Sequence, residues 1–191
     1  MNKNKYLDLA KYYNGRMVYS KTEANEDEDI GRESKYCFFD EDKFEYGVKE
    51  CLGNAGFYFK RGKEKKDCII CRGQEIILNS YPCHGIMFAG FCIWGYFKEK
   101  FILRFCDGSE EEIFIGFSDI AYTMEQISVG NMDAETKDYL SFAKVLSKEQ
   151  SLVDSVHYLY YQEMRFNQLR RLQKIVFPDN VLMYIAAITI I

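Results

Sequence analysis

The stretch FCDGSEEEIFIGFSDI, residues 105–120, has apolar segments on both sides of an Asp-Gly turn. Asp-Gly between segments of alternating polarity is a strong signal for a β-hairpin. A three-residue loop, residues 107–109, pairs Arg104 with Glu112, and Gly108 supplies the positive φ of the turn. In this register six apolar side chains share one face: Phe101, Leu103, Phe105, Ile113, Ile115 and Phe117. The stretch therefore predicts an antiparallel hairpin with one buried face.

Short apolar segments separated by turn residues continue on both sides of this hairpin. They include CIICRGQEIIL, IMFAGFCIWGYF and the closing LQKIVFPDNVLMYIAAITII. The last strand, residues 181–191, carries no charge and is expected at the centre of a sheet. Residues 131–150 are compatible with a short helix or an edge strand. We expect an all-β fold, an antiparallel two-sheet β-sandwich with at most a short helix, formed by residues 1–191 as a single domain.

The charge and composition of the chain exclude several classes of function. The formal net charge is −4, so no broad cationic surface is expected and nucleic-acid binding is not predicted. No apolar stretch approaches the roughly eighteen residues of a membrane span, and the N-terminal residues lack a signal-peptide core. Seven cysteines, an odd number within apolar segments, indicate reduced buried thiols. We expect a cytoplasmic protein without a membrane partner.

Four local patterns occur in a characteristic order: CRGQEIIL, IMFAGFCIWG, FCDGSEEEIFIGFSDI and KIVFPDNVLMYIAAITI. Together they resemble the galactose-binding-like, jelly-roll β-sandwich accessory domains of bacterial carbohydrate-active proteins. The resemblance covers residues 68–120 and 172–190. Ile120 and Cys106 stand where that family has aromatic residues. The resemblance implies a jelly-roll fold and a non-catalytic, carbohydrate-binding or carbohydrate-associated module.

Sugar recognition requires aromatic faces for the ring and polar groups for its hydroxyls. Trp94, Tyr96, Asp119 and Tyr122 supply both kinds, and each follows a predicted strand, where a sandwich carries its loops. These four residues are the predicted ligand-binding residues. The alternative is that Trp94 belongs to the core and that Asp119 caps a turn through backbone amides.

An acidic segment, NEDED at residues 25–29, has the alternate spacing of a calcium loop. Ile30 replaces the glycine expected after the third ligand, and Tyr36 occupies the position of the final glutamate. A solvated acidic loop is favoured, and no cofactor is expected, with calcium as the alternative considered.

No catalytic or metal-binding residue is predicted. Cys68 and Cys71 form a CxxC pair, but no second pair has a matching spacing for zinc. Three adjacent glutamates, residues 110–112, point to alternate sides of a strand and are interpreted as charges that prevent edge-to-edge aggregation.

The segment EMRFNQLRRLQK, residues 163–174, concentrates positive charge. It could contact an acidic partner or an anion. A solvated connection between the last two strands is the favoured interpretation.

Three hypotheses for function follow. The first is sugar binding, to an oligosaccharide or glycoside, by aromatic stacking and hydroxyl hydrogen bonds without bond cleavage. The second is a scaffold or homo-oligomerising protein, because aromatic residues, 16% of the chain, are also enriched at the centres of interfaces. The third is a small hydrolase. Exposed aromatics in a concave loop end would favour the first, and exposed aromatics on a flat sheet face the second.

Overall fold

The computed structural model describes residues 5–19, 46–52, 55–120, 139–145 and 155–191. The strands are β1 Lys5–Tyr6, β2 Lys49–Leu52, β3 Ala55–Tyr58, β4 Ile69–Ile70, β5 Glu75–Cys92, β6 Phe97–Phe105, β7 Glu110–Phe117, β8 Tyr139–Val145, β9 Ser155–Val176 and β10 Met183–Ile190. A single 3₁₀ turn, Lys63–Lys65, is the only helical element in these ranges. None of the described helical structure is long and apolar enough to cross a membrane. The predicted all-β fold is confirmed.

The described strands form two sheets of unequal size. The larger has the order β1-β10-β5-β9-β6-β7, with β4 paired to β10 and β8 paired to β9, and its ladders are antiparallel. Strands β2 and β3 form a hairpin that packs on β10, where Thr189 Oγ1 donates to the Gly56 carbonyl at 2.9 Å. The open question about residues 131–150 is answered by a strand at Tyr139–Val145. The jelly-roll topology stays a prediction.

The larger sheet bends so strongly that β7 returns to β5. Strand β9 pairs with β5 and, at its two ends, with β6 and β8. Register irregularities in β5 lie on both sides of Tyr81, and such bulges bend a strand. Beyond the end of β7, the backbone amide of Cys92 donates to the Ser118 carbonyl, and the Cys92 carbonyl accepts from the Ile120 amide, both at 2.9 Å. The segment after β7 is therefore attached to the end of β5.

The β6–β7 hairpin has the predicted loop length but a different register. The loop is Cys106–Gly108, with Gly108 at φ +82°. Arg104 is opposite Glu110, so the predicted pair of Arg104 and Glu112 is wrong. The reason is a turn that closes one residue earlier, at Ser109, whose amide and hydroxyl donate to the Asp107 carboxylate.

A register shift of two residues leaves each side chain on its predicted face, because the period of a strand is two. All six apolar residues predicted for the inner face are buried. Phe101 contacts Phe88 and Phe177, with ring centroids 5.0 and 5.2 Å apart. Every residue of β10 is also buried, which confirms its predicted central position.

The basic segment 163–174 belongs to β9, so its interpretation as a solvated connection is wrong. The Arg170 side chain is only 15% exposed, lies 3.4 Å from the Phe105 ring centroid and forms an ion pair with Glu111. Arg165 is 72% exposed and pairs with its neighbour Glu163. One of these cations is therefore integrated into the packing of β7 and β9, and the other lies in solvent.

Candidate functional site

The turn between β5 and β6 presents the tryptophan of the chain to solvent. Trp94 is 64% exposed and has φ +65°, and it is followed by Gly95 at φ +139°. The alternative that Trp94 is a core residue is therefore wrong. A positive φ is unusual for a bulky side chain and costs on the order of 1–2 kcal/mol. Such strain is concentrated at functional sites, where the surrounding structure maintains it.

The carboxylate of Asp119 holds this turn in place. Asp119 is buried, with 6% exposure, and its Oδ2 accepts a hydrogen bond of 2.9 Å from the Gly95 amide. The backbone carbonyl of Asp119 accepts a bond of 3.0 Å from the Tyr160 hydroxyl. Asp119 thus caps a turn through a backbone amide, as the alternative interpretation expected. Its direct contact with a ligand stays a prediction.

Tyr96 packs against the edge of β7. A Cβ atom on Gly116 would collide with the Tyr96 hydroxyl, so the absence of a side chain at Gly116 makes room for this ring. The Gly116 amide donates to Gln162 Oε1 at 2.7 Å, which joins the same edge to β9. Tyr96 is therefore half-buried beside β7, and Tyr122 lies outside the described residues.

The Pro-Asp-Asn turn before β10 lies beside the tryptophan turn. The Ile93 amide donates to the Leu182 carbonyl at 3.0 Å, which joins the two turns. Asn180 donates from Nδ2 to Glu99 Oε1 at 2.7 Å, and its Oδ1 accepts from the Leu182 amide. This amide and carboxylate add polar groups to the end of the sheet that carries Trp94. The sequence pattern includes this turn, but it marks neither Asn180 nor Glu99 as part of a site.

The two thiols nearest this end of the sheet are buried. Burial raises the pKa of Cys92, and the nearby carboxylates of Asp119 and Glu99 raise it further. Burial also raises the pKa of Cys71. Both thiols are free and uncharged at neutral pH, so neither is activated as a nucleophile. Within the described ranges, no three His, Cys, Asp or Glu side chains converge as a metal site would require.

A second buried carboxylate, Asp67, joins distant parts of the chain. It accepts hydrogen bonds from the amides of Met17 and Val18 at 2.6 and 3.2 Å, and from the Tyr46 hydroxyl at 2.5 Å. Burial raises the pKa of Asp67 to about 6, although these bonds and the nearby Arg61 cation oppose the shift. Sequence reasoning missed Asp67, because its position after two lysines resembles an exposed turn.

Two concave surfaces lie away from the tryptophan turn. One, of about 380 Å³, lies between residues 7–12 and residues 76–81. The other, of about 520 Å³, lies between residues 112–114 of β7 and residues 161–164 of β9, with Lys98 at its side. Trp94 lines neither of them.

No protein-family model matches the chain, and no curated protein matches it.

Proposed function

We propose that the protein is a non-catalytic carbohydrate-binding module of the jelly-roll, galactose-binding-like type, and that Trp94 is its platform for the sugar ring. The observation that carries the proposal is an exposed tryptophan on a strained turn that a buried carboxylate holds. The face of an aromatic ring complements the C–H groups of a pyranose, and a rigid platform loses little conformational entropy when the ligand binds.

The neighbouring turn supplies groups for the sugar hydroxyls. Asn180 and Glu99 are half-buried and hydrogen-bonded to each other, so they are held in a fixed arrangement. An amide and a carboxylate together donate to and accept from hydroxyl groups. In this mechanism the sugar stacks on Trp94 and its hydroxyls bond to the polar pair, with no bond cleaved and no cofactor required.

We also propose a cytoplasmic location, which the state of the cysteines supports. Cys71, Cys83 and Cys92 are buried thiols outside any disulfide, and Cys106 is an exposed thiol outside any disulfide. Free thiols of this kind are typical of a reducing compartment.

The test is a thermal-shift screen against mono- and oligosaccharides, with calcium and with a chelator. A ligand that binds only the folded state raises the melting temperature as its concentration passes the Kd. We expect a shift with at least one sugar, independent of calcium and absent in Trp94→Ala. The matched control is Phe114→Ala, which removes another exposed aromatic ring and should retain the shift. A shift that survives Trp94→Ala would refute this site.

The second candidate is a protein-interaction or oligomerising role. Phe114 is 49% exposed in the middle of β7, and Leu169 is exposed on β9, so apolar side chains also lie on strand surfaces. Such residues are enriched where protein surfaces meet. Light scattering on the screened samples separates the two candidates. A stable oligomer that Phe114→Ala dissociates, with no response to any sugar, would favour the second.

A further inference from the structure

A cleft lies between the N-terminal segment and the first part of β5, remote from Trp94. Residues 7–12 form one wall, residues 76–79 and Tyr81 form the other, and the volume is about 380 Å³. Ligand sites for small molecules have volumes of roughly 300–1,000 Å³, so the cleft has the size for a single sugar ring. Its lining includes Ile77, which is 62% exposed and presents apolar surface to the cleft.

The walls of the cleft are held together by a tyrosine. The Tyr12 hydroxyl accepts a hydrogen bond of 3.2 Å from the Ile77 amide and donates one of 3.3 Å to the Ile77 carbonyl. The N-terminal segment is therefore fixed to the edge of β5 at the position of the exposed isoleucine. A cleft whose walls are joined in this way is largely preformed, which lowers the entropic cost of binding.

Two ammonium groups lie over tyrosine rings of the cleft. Lys11 Nζ is 4.7 Å from the ring centroid of Tyr12, and Lys5 Nζ is 3.7 Å from that of Tyr81. The carboxylate of this wall, Asp8, is paired with Lys60 at 2.5 Å and is also attracted electrostatically by Lys11. Among the described groups at the cleft, three ammonium groups (Lys5, Lys11 and Lys60) outnumber the one carboxylate of Asp8, so aromatic and apolar surface is combined with a net positive charge.

We propose that this cleft is a binding site for an acidic monosaccharide, a six-membered sugar ring that carries a carboxylate. The apolar face of the ring packs on Ile77 and the tyrosines, the carboxylate is attracted by Lys11 and Lys5, and the exposed Asn79 amide bonds to a hydroxyl. A neutral sugar makes the same ring contacts but lacks the ionic attraction to the two lysines. The site is separate from Trp94, so it is independent of the function proposed above.

The test is an amide chemical-shift titration of the full chain with sodium glucuronate, and with glucose at matched ionic strength. We expect glucuronate to shift the amides of residues 7–12 and 76–81 and to bind more tightly than glucose. Lys11→Gln together with Lys5→Gln should weaken glucuronate binding about tenfold. The control Lys63→Gln, an exposed lysine of the 3₁₀ turn, should leave it unchanged.

Equal affinity for glucose and glucuronate would overturn the proposal, as would equal effects of the cleft and control variants. Trp94→Ala separates the two sites. We expect it to leave glucuronate binding intact. If it abolishes glucuronate binding, the acid sugar binds at the tryptophan turn, and the cleft proposal fails while the platform proposal stands.

Discussion

The carboxylate of Asp119 accepts a 2.9 Å hydrogen bond from the amide of Gly95, the residue that follows the exposed Trp94. Asp119 is itself fixed, because its backbone carbonyl accepts from Tyr160 on β9 and its neighbours are bonded to Cys92 at the end of β5. The conformation of the turn that carries the exposed Trp94 ring is thereby coupled to the attachment of the segment after β7 to β5 and β9. The binding proposed for Trp94 should therefore depend on the same carboxylate that stabilises the turn, Asp119.

Replacement of Asp119 should affect both properties. Asp119→Ala leaves the Gly95 amide without its acceptor, and we expect the free energy of unfolding to fall by about 1–3 kcal/mol. Sugar binding should weaken as the turn loosens. The control Asp119→Asn retains one acceptor oxygen, so its losses of unfolding free energy and of sugar affinity should be smaller. Chemical denaturation measures the first effect; an Asp119→Ala protein as stable as the wild type would contradict the coupling.

The positive φ of Trp94 should lower the free energy of unfolding of the protein. In Trp94→Gly, relief of the positive φ, about 1–2 kcal/mol, opposes the added entropy of the unfolded chain, about 0.4–1 kcal/mol. We expect stability to be unchanged or raised by up to about 1 kcal/mol. Phe114→Gly, also exposed but within the regular strand β7, should destabilise the protein. Equal losses in the two variants would show that the Trp94 turn is not strained.

The two arginines of β9 should differ in their effects on stability. Arg170→Ala removes an ion pair with Glu111, a bond to Ser109 and contact with the Phe105 ring, and should cost about 2–3 kcal/mol. Arg165→Ala removes one exposed pair and should cost less than about 0.5 kcal/mol. Urea unfolding measures the loss of unfolding free energy in each variant. Similar losses in the two variants would contradict this difference and would restore the interpretation of the segment as solvated.

Asp67 should make stability depend on pH. The pKa of its carboxyl is 3.8 in the unfolded chain and about 6 in the folded protein, because burial disfavours the charged form. Its contribution to stability is therefore present in full below pH 3.8 and is lost as pH rises to about 6. The difference of about two pH units corresponds to about 3 kcal/mol.

The comparison that isolates this contribution is between the wild type and Asp67→Asn, which cannot titrate. The free energy of unfolding of the wild type relative to the variant should fall by about 3 kcal/mol between about pH 4 and about pH 7. The titratable groups that interact with Asp67 are Tyr46, Tyr13 and Arg61, and none has an ordinary pKa in this window. A constant difference would show that hydrogen bonding cancels the effect of burial, and one that grows with pH would show that hydrogen bonding outweighs it; either would contradict the prediction.

The sequence allowed the faces of the β6–β7 hairpin to be predicted better than its register. Alternation assigns a residue to a face, and a shift of two residues preserves that assignment, so Phe101 and Ile113 were correctly placed inside. The turn in detail depends on how Asp107 bonds to Ser109, which a pattern of apolar residues does not encode. The positive φ of Gly108 was predictable, because its turn requires it.

Other features depend on contacts between residues far apart in the chain. Asp67 finds its partners at Met17, Val18 and Tyr46, and no local pattern marks it as buried. Arg170 lies in a strand with many exposed residues on both faces, so the apolar alternation that identifies strands is weak there. These are cases where tertiary packing overrides the local signal.

The most direct test of the platform proposal is a fluorescence titration, because Trp94 is the single tryptophan of the chain and its emission reports on this site alone. The protein is titrated with each sugar that raises its melting temperature, and quenching of the emission by iodide is measured with and without that sugar. A ring that a sugar covers should change its emission saturably, with the Kd of the thermal response, and should become protected from iodide. An unchanged spectrum and unchanged quenching at saturating sugar would contradict the assignment of Trp94 as the binding platform.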